Sequence, residues 1–391
     1  MRDFNYVDSS KKQDSEQIRE SLTYWKDVWR RLKGNLLAMI GLGGVILVVL
    51  FGVVGPYLTP YGYQDQQNDY SNLPPKLTVY QISDENYVYL TQSYYLLLLN
   101  SDGELVGRLT NTSRDFVNRI YHYDFDGEDI AIDYSYRIYE PDGEIDYTVT
   151  YQGETTTLPT DKIQNKTFLL GSDHLGRDIL TRLMYGARIS LVISLVAAIV
   201  NLFIGVIYGA ISGFASSRTD NIMMRVVDII NSIPLVIYVI LLMVILDKSN
   251  IWTIILAIGT VYWVGMARLV RGQIISLKDQ EFVLAARVIG VSQGKIIARH
   301  LIPNSLGPII VSLTMSIPSA IFTEAFLSFI GIGISAPQAS WGTMANEAIA
   351  QLEQYPYQML LPALAIGITV LSFNFLGDGL RSALDPRLRK G

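Results

Sequence analysis

Residues 281–304 read EFVLAARVIGVSQGKIIARHLIPN and lie between two long apolar runs. The residues of this segment predict two short helices, broken near Gly290 and ended before Pro303. A connection between two membrane spans needs only a few polar residues. A basic connection of this length therefore indicates a surface that another molecule, outside the lipid, binds.

The rest of the chain has the composition of a membrane protein that crosses the bilayer several times. It has 391 residues, 50% of them hydrophobic and 17% charged. A spanning helix needs about 20 mostly apolar residues. Six runs meet that requirement: 35–58, 190–214, 222–246, 251–270, 305–330 and 357–377.

The charge distribution predicts the orientation of these spans. Residues 59–170 hold 18 Asp and Glu against 7 Lys and Arg, whereas residues 268–305 hold 6 Lys and Arg against 2 acidic residues. Residues 1–34 are also basic, with 8 Lys and Arg against 6 acidic residues. Basic loops stay in the cytoplasm. Both termini and the 281–304 segment are therefore expected inside, and residues 59–170 outside.

Two regions outside the spans have recognisable patterns. Residues 1–34 form a predicted cytoplasmic N-terminus, in which 15–33 has the apolar spacing of an amphipathic helix at the membrane surface. Residues 59–167 are rich in Tyr and in turn signals such as Asp126-Gly127, which predicts a β-rich outer domain. The acidic residues around that turn fit a solvated hairpin better than a calcium loop, because Gly127 comes too early for that loop.

Catalytic and cofactor chemistry has little support in this sequence. The chain has no Cys and three scattered His residues, so a metal site is not predicted. No phosphate-binding glycine-rich loop ending in Lys-Ser or Lys-Thr is present, so the energy for any active process comes from elsewhere. Two acidic residues fall within spans. Asp228 lies near the inner end of the third, and Glu324 in the fifth is either a proton or substrate site or, as we favour, a structural acceptor.

The 281–304 segment resembles the cytoplasmic Glu-Ala-Ala loop of bacterial ABC importer permeases. The resemblance rests on Ala285 with Ala286, on Gly290, and on the run from His300 through Pro303. In that family the loop docks into the ATPase, so these residues are expected to couple to ATP hydrolysis. This chain has Leu284 where the family has the Glu, and Glu281, about one turn earlier, is the expected substitute.

Further motifs narrow the resemblance to the second permease subunit of the dipeptide, oligopeptide and nickel importers. They occur in the family's order over residues 20–58 and 168–389, and the insert at 59–167 lies outside the common pattern. The residues that carry this resemblance are Gly171, Asp173, Gly176, Arg177, Asp178, Asp228, Glu324, Trp341, Gly342, Asp378, Asp385 and Pro386.

The resemblance implies an all-α polytopic fold of the type I importer permeases, with six transmembrane helices and the extracellular β-rich insert. The transmembrane core spans 168–377, and 378–391 is a cytoplasmic tail. The implied location is the bacterial plasma membrane. The implied partners are a homologous permease, two cytoplasmic ATPases that hold ATP and Mg²⁺, and an extracellular substrate-binding protein, often a lipoprotein. No nucleic acid and no cofactor in this chain are expected.

The substrate class implied is peptides, and three alternatives remain. A nickel permease of the same family is less favoured, because His residues are absent from the spans. A membrane sensor would need a cytoplasmic signalling domain, for which the termini are short. A proton-coupled transporter acting through Glu324 would leave the 281–304 segment unexplained.

Overall fold

The computed structural model describes residues 24–139, 145–246, 251–334 and 337–385. The described chain is a bundle of long helices that carries two β-sheets between its second and fourth helices. The helices, numbered in chain order, are α1 Tyr24–Gly34, α2 Leu36–Val53, α3 Ser135–Tyr139, α4 Ile179–Phe214, α5 Ser217–Ser232, α6 Leu235–Leu246, α7 Ile251–Leu277, α8 Glu281–Val288, α9 Gln293–Ile296, α10 Ile302–Asn304, α11 Leu306–Phe329, α12 Trp341–Ala348 and α13 Tyr357–Leu384.

Five of these helices are long and apolar enough to cross a bilayer, counting α2 with the short turn that follows it. Helices α5 and α6 together make a sixth candidate, but they are bent by 84° relative to each other. The prediction of six spans is confirmed as five to six apolar helices, and the third predicted span, 222–246, is the bent one. The break falls at Pro234, which has no N–H to donate and which holds Ile233 in an extended conformation, with φ −81° and ψ 121°.

Other spans are longer than predicted, among them the fourth, which continues past residue 270 to Leu277 as α7. The second was expected to begin at residue 190, but α4 is continuous from Ile179 over 36 residues. It begins there because the Asp178 carboxylate accepts a hydrogen bond from the Thr181 backbone N–H at 2.8 Å. The last span continues to Leu384, so most of the described part of the predicted tail 378–391 is helical.

Within the described residues, ten strands form two antiparallel five-stranded sheets. In spatial order, the first sheet is β10-β1-β2-β3-β4 and the second is β5-β6-β7-β8-β9. The strands are β1 Lys76–Gln81, β2 Asn86–Leu90, β3 Leu96–Asn100, β4 Leu105–Arg108, β5 Thr110–Asp115, β6 Ile120–Phe125, β7 Glu128–Asp133, β8 Thr148–Tyr151, β9 Glu154–Thr156 and β10 Asp161–Gln164. The last strand returns to pair with the first, so the chain enters and leaves the sheets at one place.

The tight turns follow the sequence signals. Asp126 and Gly127 both have positive φ, as do Gln152 and Gly153, which is the backbone of two-residue hairpins with the right-handed twist of the strands. A turn at Tyr94, with φ 59°, separates β2 from β3.

The two sheets share an apolar core. Tyr80, Val88 and Leu96 of the first sheet pack against Tyr123 and Ile132 of the second. The opposite face of the first sheet, including Leu77 and Leu97, packs on Leu73 and Phe168, which lie where the chain enters and leaves. The first sheet is therefore packed on the chain segments that lead into and out of the sheets.

Helix α1 lies against the end of α13. Val28 and Leu32 are buried against Ala383 and Leu384, whereas Trp25 and Trp29 are exposed. This is the two-faced pattern expected of an amphipathic helix at a membrane surface. The residues of the predicted helix before Tyr24 lie outside the described part of the chain.

Candidate functional site

The 281–304 segment forms a helical hairpin at one end of the bundle. After α8 the chain turns at Gly290, and α9 follows, then a π-helical turn at Ile297–Leu301 and α10. The prediction that Pro303 ends the second helix was wrong. Proline lies in the first turn of α10, where its missing N–H costs nothing, and the backbone hydrogen bond from Ser305 to Leu301 carries the helical path towards α11.

The turn at Gly290 requires a left-handed backbone. Gly290 has φ +83°, its N–H donates to the Arg287 carbonyl, and the Val291 N–H donates to the Ala286 carbonyl, both at 3.0 Å. This is a Schellman cap, in which glycine is strongly favoured. A Cβ at Gly290 would meet nothing within 4 Å, so the requirement is one of backbone conformation alone.

The inner face of this hairpin packs on the bundle. Val283, Ile296 and Leu301 are fully buried in a cluster with side chains of α4 and α7 such as Val206 and Met266. The Arg287 guanidinium lies 5.0 Å from the centre of the Phe214 ring, and it also donates to the Lys278 carbonyl. Helix α8 is therefore in direct contact with α4 and α7.

The outer face of α8 is exposed and apolar. Val288 is 88% and Ile289 80% exposed, and Phe282 and Leu284 are also exposed. Ala285 points outward with them, whereas Ala286 is buried, so the two alanines do not share one contact. Glu281 and Pro303 are exposed and His300 is half-buried. We call this exposed apolar surface the knob; it consists of Phe282, Leu284, Ala285, Val288 and Ile289.

A second group of predicted residues forms the base of the sheet region, which we call the root (residues 67–73 and 171–178). Gly171 and Gly176 both have positive φ, and a Cβ at either would overlap a backbone carbonyl of the entering chain. Ser172 N–H donates to the Leu73 carbonyl at 2.9 Å, and Asn72 N–H to the Asp173 carbonyl at 2.8 Å. Asp178 caps α4, and burial raises the pKa of its carboxyl.

Next to the root lies the charge cluster, made of Asp173, Arg177, Arg182 and Glu347. Asp173 Oδ2 accepts from Arg177 Nε at 2.7 Å and from Arg182 Nη1 at 2.5 Å. Glu347 Oε2, on α12, accepts from Arg177 Nη2 at 2.7 Å and from Arg182 Nη1 at 2.8 Å. Burial raises the pKa of Asp173, but Arg182 and Arg177 more than offset this and leave that pKa below its usual range.

The cluster is a charge-balanced ion-pair network rather than a metal site. Ligand atoms of Asp173, His174 and Glu347 lie within 4.8 Å of one another, close enough for an ion. The two carboxylates are already neutralised by two guanidinium groups, so a divalent cation would add unbalanced charge there.

Glu324 ties three elements together inside the bundle. It is fully buried on α11, and it accepts hydrogen bonds from Ser190 of α4 and from Ser328, each at 2.8 Å. Ser340, which caps α12, also hydrogen-bonds to it. Both carboxylate oxygens of Glu324 accept hydroxyl donors, which agrees with the interpretation as a structural acceptor.

Trp341 and Gly342 fix α12 to the bundle. Trp341 Nε1 donates to the Leu183 carbonyl of α4 at 3.0 Å. A Cβ at Gly342 would lie 2.3 Å from the Ala325 carbonyl oxygen, so this position on α12 has room for no side chain.

The remaining predicted residues lie apart from these groups. Asp228 forms an exposed ion pair with Arg268 at 2.9 Å. Asp378 is exposed on α13, and Asp385 caps that helix, while Pro386 lies outside the described residues.

Several functional candidates were missed from the sequence. Arg182 looks like one residue of an amphipathic turn, and Glu347 like a surface acid, because their pairing joins positions 165 residues apart. Asp220 and Arg271, which form two hydrogen bonds of 2.6 Å between α5 and α7, were also missed. The one sequence signal for Arg182 is its place near the start of a membrane span. A charged side chain there needs a counter-ion.

Comparison with known protein families shows that this chain is similar to membrane transport components. Residues 205–390 match the model described as binding-protein-dependent transport system inner membrane component, and residues 23–75 match the N-terminal TM domain of oligopeptide transport permease C. The chain belongs to this family of inner-membrane permeases.

Individual relatives cover nearly the whole chain. The oligopeptide transport system permease protein OppC of Bacillus subtilis is 37% identical over 378 residues, which is 96% of this chain and 94% of the relative. The dipeptide transport system permease protein DppC of Lactococcus lactis is 33% identical over 99% of this chain and 97% of its own length. Among solved structures, the inward-facing MetNI methionine ABC transporter is 18% identical and covers 52% of this chain and 96% of its own, with a TM-score of 0.44, too low to support an argument.

Proposed function

We propose that this chain is a permease subunit of an ATP-driven peptide importer and forms half of the translocation pathway. Full-length similarity to oligopeptide and dipeptide permeases is the observation that carries this proposal. The partners would be a second permease of similar fold, two cytoplasmic ATPases and an outer substrate-binding protein. ATP and Mg²⁺ would be held by the ATPases, and this chain would supply no cofactor site.

Energy would enter through the 281–304 segment. The exposed apolar face of α8 would sit in a groove of the ATPase, and closure of the ATPase pair would displace the hairpin. The buried face supports this transmission, because Val283 and Leu301 pack directly on α4 and α7. The spans would then shift between inward-open and outward-open states, driven by the difference in binding energy of the partners for the two states.

The orientation proposed for the chain has both termini and the 281–304 segment in the cytoplasm, in a bacterial plasma membrane. The charge distribution supports it. The sheet region of 59–167 would then lie outside, where its acidic surface is available to the binding protein. We propose that the binding protein docks on the outer surface of the chain, which includes residues 335–356 and this sheet region.

Substrate class is tested by reconstituting the chain with its partner permease, ATPases and binding protein in liposomes. We expect ATP-dependent uptake of labelled oligopeptides or dipeptides, and competition by unlabelled peptides. ATP-dependent uptake of Ni²⁺ without uptake of peptides would contradict the peptide assignment and favour the nickel alternative.

Docking of the ATPase is tested by placing a charge on the knob. Val288→Asp puts a carboxylate on a side chain that is 88% exposed. We expect weaker retention of the ATPases during purification, because desolvating an unpaired charge in an apolar groove is costly. Val117→Asp is the matched control, since Val117 is 89% exposed on the β5–β6 turn. Equal retention in both variants would contradict docking through α8.

A further inference from the structure

The root holds the sheet region rigidly to the membrane helices. Tyr357 Oη, at the start of α13, donates to the Leu73 carbonyl at 2.9 Å. Gln358 Nε2 donates to the Ser172 carbonyl at 3.1 Å and to Asn72 Oδ1 at 2.9 Å. Both chain passages of the root are thus bonded to each other and to α13. The sheet region is attached by a network of hydrogen bonds, which a flexible linker would lack.

The charge cluster extends this attachment to α12. Asp173 belongs to the root and Arg182 to the first turns of α4, whereas Glu347 comes from α12. The side chains of Arg177 and Arg182 are 3% and 2% exposed, so both charges are buried. Glu347, at 23%, is the most exposed member of the cluster.

Arg182 depends on these two acids. Its Nε and Nη2 atoms are buried and contact no hydrogen-bond partner among the described residues. Its hydrogen bonds to Asp173 and Glu347 both run from Nη1. Two buried cations are balanced by two carboxylates, one on each side of the α4–α12 contact. Separating α12 from α4 would leave one buried guanidinium without a counter-ion, which is strongly unfavourable.

The other end of α12 is tied to the same helices. Trp341 bonds to the Leu183 carbonyl, one residue after Arg182, and Ser340 bonds to Glu324 of α11. A displacement of α12 is therefore passed to α4 at two points and to the buried acid of α11.

We propose that Glu347 is a positioning residue of the transport cycle. Through Arg177 and Arg182 it fixes α12 to the root and to α4, so that docking of the binding protein on the outer surface moves these elements as one body. This inference rests on the proposed function, because it names the route by which outer docking reaches the spans.

The test removes the ion pairs of Glu347 with Arg177 and Arg182, and it keeps equal numbers of positive and negative charges in the cluster. In the double variant Arg177→Gln with Glu347→Gln, Arg182 keeps Asp173 as its counter-ion, but α12 loses its ionic tie. The measurement is the ratio of ATP hydrolysis with and without peptide-loaded binding protein in the reconstituted complex. We expect the ratio to fall by at least about fivefold, the lower end of usual couplings between sites. A wild-type ratio in this variant would overturn the proposal.

An exposed ion pair provides the matched control. Arg268 and Asp228 lie 2.9 Å apart, and their side chains are 45% and 54% exposed. Arg268→Gln with Asp228→Asn also removes one guanidinium and one carboxylate, at a place away from the sheet region, but such exposed pairs contribute little. We expect a wild-type ratio for this control. A drop equal to that of the cluster variant would overturn the assignment to Glu347.

A second measurement does not depend on transport. The chain has no Cys, so spin labels can be placed through Leu169→Cys, beside the root, and Ile349→Cys, after α12, in the full-length chain. We expect one narrow distance distribution with the intact cluster and a broader one in the double variant. Equal distributions would overturn the proposed tie even where peptide uptake is normal. Absence of peptide uptake by the wild-type complex, with the broadening present, would contradict the proposed function and leave the tie supported.

Discussion

At the scale of single residues, Gly290 illustrates a requirement of backbone conformation. Any other residue at φ +83° has a strained backbone, which costs about 1–2 kcal/mol for most side chains and less for Asn. We predict that Gly290→Val raises the ATP hydrolysed per peptide transported, because a strained turn shifts the population of the hairpin by roughly 5–30-fold. Gly290→Asn should stay close to wild type, since the space around the residue is open. Equal coupling in the two variants would contradict a role for this turn.

Substitutions of Glu324 distinguish the two interpretations of this buried acid, a structural acceptor and a proton or substrate site. If it is a structural acceptor, Glu324→Gln keeps a carbonyl oxygen for the Ser190 or Ser328 hydroxyl and should retain transport. Glu324→Ala leaves these hydroxyls without their acceptor, at about 1–3 kcal/mol, and should lower the yield of intact complex. The measurements are peptide uptake and the thermal midpoint of the purified complex. Loss of uptake in Glu324→Gln at an unchanged midpoint would favour the proton-coupled alternative.

At the scale of elements, the contact of α12 with α11 depends on the absence of a side chain. We predict that Gly342→Ala destabilises the chain by about 1–3 kcal/mol, because the new methyl group would overlap the Ala325 carbonyl. Gly265→Ala is the control: this glycine is in the middle of α7 with nothing within 4 Å of its Cβ position, so Ala should be neutral or stabilise by about 0.5–1 kcal/mol. Thermal unfolding of both variants decides the matter, and equal midpoints would count against close packing at Gly342.

Elements with one dominant local cause were predictable from sequence. The hairpin at Asp126-Gly127 and the turn at Gly290 follow from residues that tolerate positive φ. Where two local signals competed, sequence reasoning failed. The hydrophobic run over 222–246 predicted a span, but it carries no information on the 84° bend between α5 and α6. Pro303 was expected to end a helix, yet a proline in a first helical turn is equally well placed.

At the scale of the whole molecule, the candidate site was predictable only in part. Asp173, Arg177, Trp341 and Gly342 were identified by their resemblance to a family pattern, with no indication of what they touch. The charge cluster needs Glu347, which lies 170 residues from Arg177, and a single sequence does not reveal such a pairing. Long-range polar contacts are decided by the tertiary fold, whereas spans and turns are decided by nearby residues.

The sheet region can be deleted as a unit, because its first and last strands pair with each other where the chain enters and leaves. Lys76 pairs with Gln164, and Asn165 N–H donates to the Pro75 carbonyl at 2.9 Å, so residues 76–164 can be replaced by a two-residue Asn-Gly turn. Phe168, which loses its packing partners in the first sheet, is changed to Ser in the same variant. The root contacts among Leu73, Ser172 and Tyr357 remain, so membrane insertion should be preserved.

We predict that this deletion weakens binding of the substrate-binding protein by about tenfold, or about 1.4 kcal/mol, and lowers peptide uptake at limiting binding protein. The physical reason is the loss of the acidic surface of the sheet region, so the wild-type affinity should fall as salt concentration rises, and the affinity of the deletion variant should depend less on salt. The measurements are titration of the binding protein against complexes in nanodiscs at two salt concentrations, with ATPase retention as the control for assembly. Unchanged affinity and unchanged uptake in a correctly inserted variant would show that the sheet region serves some purpose other than docking.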